Sequence, residues 1–544
     1  MDAKRPVKPE AAVLIDKIGH LAEQLTKSPL DLDHPKFGFM ENFKSTLTDG
    51  YPLSSKNIGI PIRYVFPRLP EEIFFPNRDD LHLVLTNDSS LFAKQEKQNY
   101  LKTPPARRRW YLNNGRLIRV HLRGKKKLNG DLLEILSFLG ILRLFRRTGW
   151  EEIASYTNEN IIPFLSDRTN FEKWQQKKIT VSIDWKPERP PATVVLEDQL
   201  RKIGLKDLIS QQQKPLLLIG NDFSWRLMMF TLLLSPSQFR KLKIIFKAEE
   251  EKIKKETKLI NDDWLDFCHK YILLTILNKT YSSTKNNQPE INAIYNQIFN
   301  QKNFKTIGYQ RLLYGKRPPL KKKFFLRSAI GEPVDYWDPK KFQQKLLKDE
   351  SASVRKFFLN LIQHRWSILS IPYLIGENSA EVTESLIQNR LVDDETVAFV
   401  GKAGLFSEEN NCFSLKKGDL IWPRKIFNLE NDQSFNFPFK NNLFFNIPSA
   451  DFLTVPNIAL QSYPDCQLIK SRQDKNLPLA LDMEQFHLLS LKEKFRILPG
   501  FYISDLSCRK NYGQENKITT PLDPIRGGLA IWQAMLLVLQ QINR

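Results

Sequence analysis

The residues of this chain that could do chemistry are cations interleaved with aromatics, in two stretches that hold no acid. The first runs from Lys102 to Gly130, just before Asp131. It carries Arg107, Arg108, Arg109, Trp110 and Tyr111, then Arg116, Arg119, Arg123, Lys125, Lys126 and Lys127. The second runs from Lys302 to Arg327. It contains Lys316, Arg317, Lys321, Lys322, Lys323 and Arg327, with Tyr309, Tyr314, Phe324 and Phe325 among them. Lysine and arginine neutralise phosphates, and aromatic faces stack on unpaired bases, so this mixture suits a nucleic acid. The competing reading of each stretch is a solvated basic surface whose aromatics turn inward.

Such cations work only if an element holds them at the surface. From Arg116 to Arg123, Ile118, Val120 and Leu122 alternate with Arg119, His121 and Arg123, which predicts a strand with one cationic and one buried face. Asn113-Asn114-Gly115 predicts a hairpin turn that brings Arg107–Arg109 to the same side. Trp110 or Tyr111 would then stack on a base or wedge a duplex. After Gly124, Asp131 reads as a helix N-cap with Glu134 at the capping-box position. The apolar helix Leu132–Leu144 follows, with Arg143, Arg146 and Arg147 at its end and Gly149 as C-cap. Arg146 and Arg147 join the candidate nucleic-acid-binding set.

Catalytic constellations are sparse. The seven histidines are scattered and form neither HExxH nor HxH, and no GxSxG occurs. Asp393-Asp394-Glu395 could bind a metal, although an acidic turn before a strand is the commoner meaning. Glu250 and Lys252 have a nuclease-like E-x-K spacing inside a charged helix, where it arises by chance. Leu216–Gly220 followed by Trp225–Leu234 is a β-turn-α unit with a single glycine, and it matches no phosphate-loop fingerprint. Cys268, Cys412, Cys466 and Cys508 lie far apart and lack CxxC pairs, so they read as reduced thiols. The expectation is a binding protein without cofactor or metal.

The 544 residues are 41% hydrophobic and carry a formal charge of +22, which marks a globular chain with a polyanionic partner. Residues 1–389 hold 64 Lys and Arg against 43 Asp and Glu, and residues 390–544 hold 18 against 17. The first part should therefore meet the polyanion. Residues 8–27 read as an amphipathic helix, 58–66, 81–86, 180–185 and 192–196 as strands, and 237–278 and 342–371 as helical. Phe239–Lys258 reads as one long solvated helix. An irregular, β-containing region follows Arg390, and Ile525–Ile542 is an apolar helix. Three regions are predicted. Residues 1–281 form a basic mixed α/β region, 289–389 a basic helical region with a cationic loop at 302–327, and 390–544 a charge-balanced region ending in a helix. The fold class is α+β, multi-domain, with a helix-ended C-terminal region. The amino terminus shows no signal core, and the run Leu132–Leu144 is shorter than the roughly 20 residues a bilayer needs, so the expected location is cytoplasmic.

Leu132–Phe145 (LLEILSFLGILRLF), the two cationic stretches and the balanced, helix-ended C-terminus resemble the Cas8-type large subunits of multi-subunit (Class 1, type I) CRISPR effector complexes. The resemblance implies a non-catalytic subunit of a Cascade-like antiviral ribonucleoprotein. Such a subunit holds the guide-RNA end and the target DNA beside its short recognition motif, in contact with other protein subunits and with no membrane. Two other classes fit the composition. One is a metal-dependent nuclease or Argonaute-like enzyme with dispersed carboxylates. The other is a peripheral membrane or scaffold protein.

Overall fold

Ile118, Val120 and Leu122 are fully buried, while Leu117, Arg119 and His121 are half-buried. That alternation sets the first of two sheets in the computed structural model. The structure describes residues 10–37, 69–75, 80–88, 110–113, 117–122, 128–151, 154, 167–185, 214–220, 224–283, 289–299, 307–311, 335–364, 366–372, 377–407, 415–428, 434–437, 447–454, 478–482, 484–491, 496–508 and 522–543. The amino-terminal elements are α1 (Glu10–Lys27), β1 (Leu30–Asp31), β2 (Leu81–Thr86), β3 (Trp110–Asn113), β4 (Leu117–His121), α2 (Leu128–Arg147), α3 (Arg168–Gln176) and β5 (Ile179–Asp184). Their sheet has the order β1-β5-β2-β4-β3. Central β2 is parallel to β4 and β5, and β1 and β3 are antiparallel edges.

One face of this sheet is apolar: Leu81, Leu83 and Leu85 align with Ile118 and Val120, and with Ile179 and Val181. They form one buried cluster with Leu21 and Leu25 of α1 and Leu136, Leu139 and Leu142 of α2. Phe145, Phe171 and Trp174 pack edge-on at its end, and the Trp174 indole N–H donates to the Ile73 carbonyl at 2.7 Å. Helix α2 starts at Leu128, so Asp131 lies in its first turn and is not the N-cap. The strands expected at 58–66 and 192–196 lie outside the described residues.

The remaining elements are β6 (Leu216–Gly220), α4 (Ser224–Leu233), α5 (Pro236–Ile245), α6 (Lys247–Glu256), α7 (Asp262–Ser283), α8 (Pro289–Phe299), β7 (Tyr309–Arg311), β8 (Asp335–Trp337), α9 (Ala352–Gln363), β9 (Ile368–Pro372), α10 (Glu377–Gln388), β10 (Thr396–Ser407), β11 (Leu420–Asn428), β12 (Ser434–Asn436), β13 (Ser449–Thr454), β14 (Leu479–Asp482), α11 (Gln485–Leu489), β15 (Arg496–Cys508) and α12 (Pro524–Ile542). Their ten strands make one sheet. Strand β6 pairs in parallel with β9 on one side and β10 on the other, which explains its unbroken apolar run. That sheet draws strands from each of the three regions read from composition, so 281/289 and 389/390 are not breaks between separate sheets. The stretch Phe239–Lys258 is two helices, because Phe246 turns inward and ends α5.

Within this sheet five strands close on themselves. Strand β10 pairs with β15, β15 with β11, β11 with β13, β13 with β14, and β14 with β10 again. Phe501 touches Phe399 at 5.4 Å and Phe452 at 5.2 Å across the ring. A Cβ on Gly401 would stand 2.4 Å from the Phe399 ring, so glycine is needed there. On the other face of β15, a Cβ on Gly500 would stand 2.4 Å from the Ala534 carbonyl oxygen, which lets α12 lie directly on the strand. Helix α12 is, among the described residues, the one helix long and apolar enough to cross a membrane, and 83% of it is buried inside the protein. Phe406, Leu453, Leu479 and Leu481 join the amino-terminal core and tie the ring to the first sheet.

Candidate nucleic-acid interface

The hairpin of β3 and β4 forms the outer edge of the first sheet. Its register sets Trp110 opposite Val120, Tyr111 opposite Arg119 and Asn113 opposite Leu117. Directly opposed residues share a face. Tyr111, and not Trp110, therefore takes the register position beside Arg119. Along the same face, Arg119 and His121 align with Val84 and Thr86 of β2, and these with Ser182 and Asp184 of β5. His82 and Thr180 complete the row, and the His82 Nε2 stands 2.7 Å from the Ser182 hydroxyl. Partial burial pushes the His82 pKa down, so its ring stays neutral near pH 7. This face carries one guanidinium at Arg119 and an acid at Asp184 on its far side, and between them Val84 and Thr86 of β2 are buried. Arg119 is half-buried and makes no ion pair among the described residues.

Arg107, Arg108, Arg109, Arg116, Arg123, Lys125, Lys126 and Lys127 lie outside the described residues. So do Lys316, Arg317, Lys321, Lys322, Lys323 and Arg327. What the structure places is their anchorage. The first stretch flanks edge strand β3, and the second continues from β7, which is the edge of the ten-stranded sheet. Gly308, just before β7, has φ +72, and a Cβ there would stand 2.7 Å from the Lys341 side chain and 2.8 Å from the Asp338 carbonyl oxygen.

Arg146, expected at the phosphate-facing surface, is buried. Its side chain is 4% exposed and pairs with Asp33 at 3.2 Å. It donates to the carbonyls of Gln175 at 2.8 Å and of Lys177, and its guanidinium sits 5.6 Å from the centre of the Trp174 ring. Burial lowers its pKa, and the Asp33 carboxylate opposes that shift. Arg143 is buried beside it and donates to the Asp33 carbonyl at 3.3 Å. Both arginines fasten the end of α2 to the segments at 31–33 and 175–177, so neither reaches a phosphate. Arg147, the next residue, is exposed.

The sparse catalytic candidates resolve into structural roles. The Asp393 carboxylate accepts from the Thr396 N–H at 2.9 Å, and Asp394 pairs with Lys214 at 3.5 Å. Among the described residues no three His, Cys, Asp or Glu side chains are grouped as a metal would need. Glu250 pairs with Lys243 and Lys254. Cys268 is buried and its thiol pKa is pushed well up, which makes it unreactive. After β6, Arg226 of α4 forms a buried ion pair with Asp335 of β8 at 2.9 Å, and Trp225 meets Trp337 edge-on at 5.7 Å. These contacts pack α4 against β8; residues 221–223, which join β6 to α4, lie outside the described residues.

Asp482 is one of several buried acids that the sequence does not mark. Asp482 ends β14 inside the ring and accepts from the Thr454 hydroxyl at 2.6 Å and the Gln485 N–H at 2.8 Å. Desolvation pushes its pKa up to about 6 against those hydrogen bonds. Through the Gln485 bond it holds the first N–H of α11, whose N-cap is Glu484 and whose Phe486 and Leu488 are buried in the same core as the ring. Nothing in the local sequence marks it, because its partner Thr454 lies 28 residues away. Compared with known proteins, the chain matches no family model and no curated protein.

Proposed function

We propose that this protein is a non-catalytic nucleic-acid-binding subunit in which the β3–β4 hairpin contacts phosphates. The observation that supports this best is the burial of Ile118, Val120 and Leu122. With that face locked in the core, Arg119 is held on the other side, since burying an unpaired guanidinium costs several kcal/mol. The concentration of positive charge in residues 1–389 points the same way. In the reading drawn from the resemblance to Cas8-type subunits, the ligands are guide RNA and target DNA in a Cascade-like complex, in contact with further subunits.

The test is binding of the full chain to labelled duplex DNA and single-stranded RNA by fluorescence anisotropy across a salt series. Contact with about 6–10 phosphates lowers affinity by roughly 10³–10⁵ between about 50 and 200 mM salt. A flat titration contradicts the reading. The same substrates with Mg²⁺ or Mn²⁺ separate a binder from a nuclease, because cleavage would favour the enzyme.

A further inference from the structure

The helical elbow of α5 and α6 carries a cationic surface that the hairpin does not use. Helix α5 buries Phe239 and Leu242, which turns Arg240, Lys241 and Ile244 outward. Helix α6 buries Ile253, which turns Lys247, Lys252 and Lys255 outward. These five cations and Lys258 are exposed and make no ion pair among the described residues. The acids of the segment are placed differently. Glu250 is taken up by Lys243 and Lys254, and Glu251 by Lys254. Glu249 is half-buried, and Glu256, at the end of α6, is the remaining exposed acid. The outward face thus keeps a strong positive excess. At 1.5 Å rise per residue, Lys247 to Lys255 spans about 12 Å, a track and not a point.

Three kinds of partner carry the opposite charge, and the surface separates them. A helix lying in a bilayer interface needs a continuous apolar face. Here the outward side of α6 offers nothing apolar larger than Ala248; of the two exposed aliphatics, Ile244 (76%) stands alone at the elbow among the cations and Leu259 (99%) lies beyond the end of α6, so they form no continuous apolar face. A protein interface buries an apolar core from which lysine is depleted. Lysines and an arginine on a convex helical surface without an apolar seam match a phosphate backbone.

We propose that the α5–α6 elbow is a second phosphate-backbone contact, separate from the β3–β4 hairpin. It rests on the nucleic-acid reading and adds a surface to it. The experiment compares full-length wild type with a variant carrying R240A, K241A, K247A, K252A and K255A, using a labelled mixed-sequence duplex. The expected result is at least fivefold weaker binding at about 100 mM salt. The slope of log affinity against log salt should become shallower by about 3, at roughly 0.9 per phosphate lost. A second variant, K241R/K247R/K252R/K255R, keeps the charge and should bind as wild type does. Unchanged affinity and slope in the alanine variant, with wild type still binding, overturns the elbow and leaves the hairpin reading standing. Absence of wild-type binding overturns both. Vesicles with and without phosphatidylserine form the last arm. If the alanine substitutions abolish vesicle binding and spare the duplex, the surface belongs to lipid and the proposal falls.

Discussion

Arg119 and Arg146 look alike in the sequence, each a cation beside apolar residues, and the structure places them differently, Arg119 half-buried on a sheet face and Arg146 buried and paired. Arg119 sits on a strand whose other face is sealed, so period-two alternation alone decides its side. Arg146 ends a helix that is apolar on most of its circumference, where no periodicity says which way the side chain turns. Its partners, Asp33 and the carbonyls at 175 and 177, are 113 and about 30 residues away in the chain. Replacing Arg146 by Ala should lower stability by about 2–3 kcal/mol, reduced from the cost of breaking a fully buried pair because Asp33 is partly solvated. Thermal melting checks this. A variant that melts like wild type would mean that the latch at the end of α2 contributes nothing.

Asp482 supplies a pH signature at the same scale. Its pKa rises from 3.8 to about 6 on folding. Between those values the folded chain holds a proton that the unfolded chain has released, so this group's contribution to stability falls as pH rises from about 4 to about 6. Asn at this position cannot ionise. The melting difference, wild type minus D482N, should therefore decline across that interval. A difference constant from pH 4 to pH 7 contradicts the assignment.

At the scale of elements, what was legible tracks local signals. Strand β4, helix α1 and helix α12 follow from apolar spacing within a dozen residues. Helix α2 starts one turn earlier than the sequence predicts, because Asp131 has the chemistry of a cap but the helix already runs from Leu128. The break between α5 and α6 was missed, since a buried Phe246 between two charged runs is decided by packing alone. The ring of β10, β15, β11, β13 and β14 was not legible, because each closure joins segments far apart in the chain. The ring makes its own demand. Gly500→Ala would push a methyl group into the Ala534 carbonyl, and overpacking of that kind costs about 1–3 kcal/mol or more. A lower melting midpoint is expected, and an unchanged one would contradict the close seat of α12 on β15.

At the scale of the whole molecule, charge and fold divide the chain differently. The positive excess ends near residue 389, whereas the ten-stranded sheet begins at Leu216 and runs past it. Strand β10 needs β6 beside it, and α12 packs on α7, so both leave partners behind when the chain is cut at 390. A fragment of residues 390–544 should therefore lack a cooperative melt. A sharp transition in that fragment would show that the two halves of the sheet are independent.

The central claim is that the β3–β4 hairpin is a nucleic-acid surface held out by a buried inner face. The most direct measurement pairs affinity for labelled DNA and RNA with thermal stability in two variants. Replacing Arg107, Arg108, Arg109, Arg119 and Arg123 together by Ala should leave the melting midpoint nearly unchanged and weaken binding at least tenfold. Val120→Asp should unfold the amino-terminal unit, because it places a charge where the side chain is fully buried. An arginine variant that binds like wild type would contradict the account and leave the hairpin a solvated basic edge.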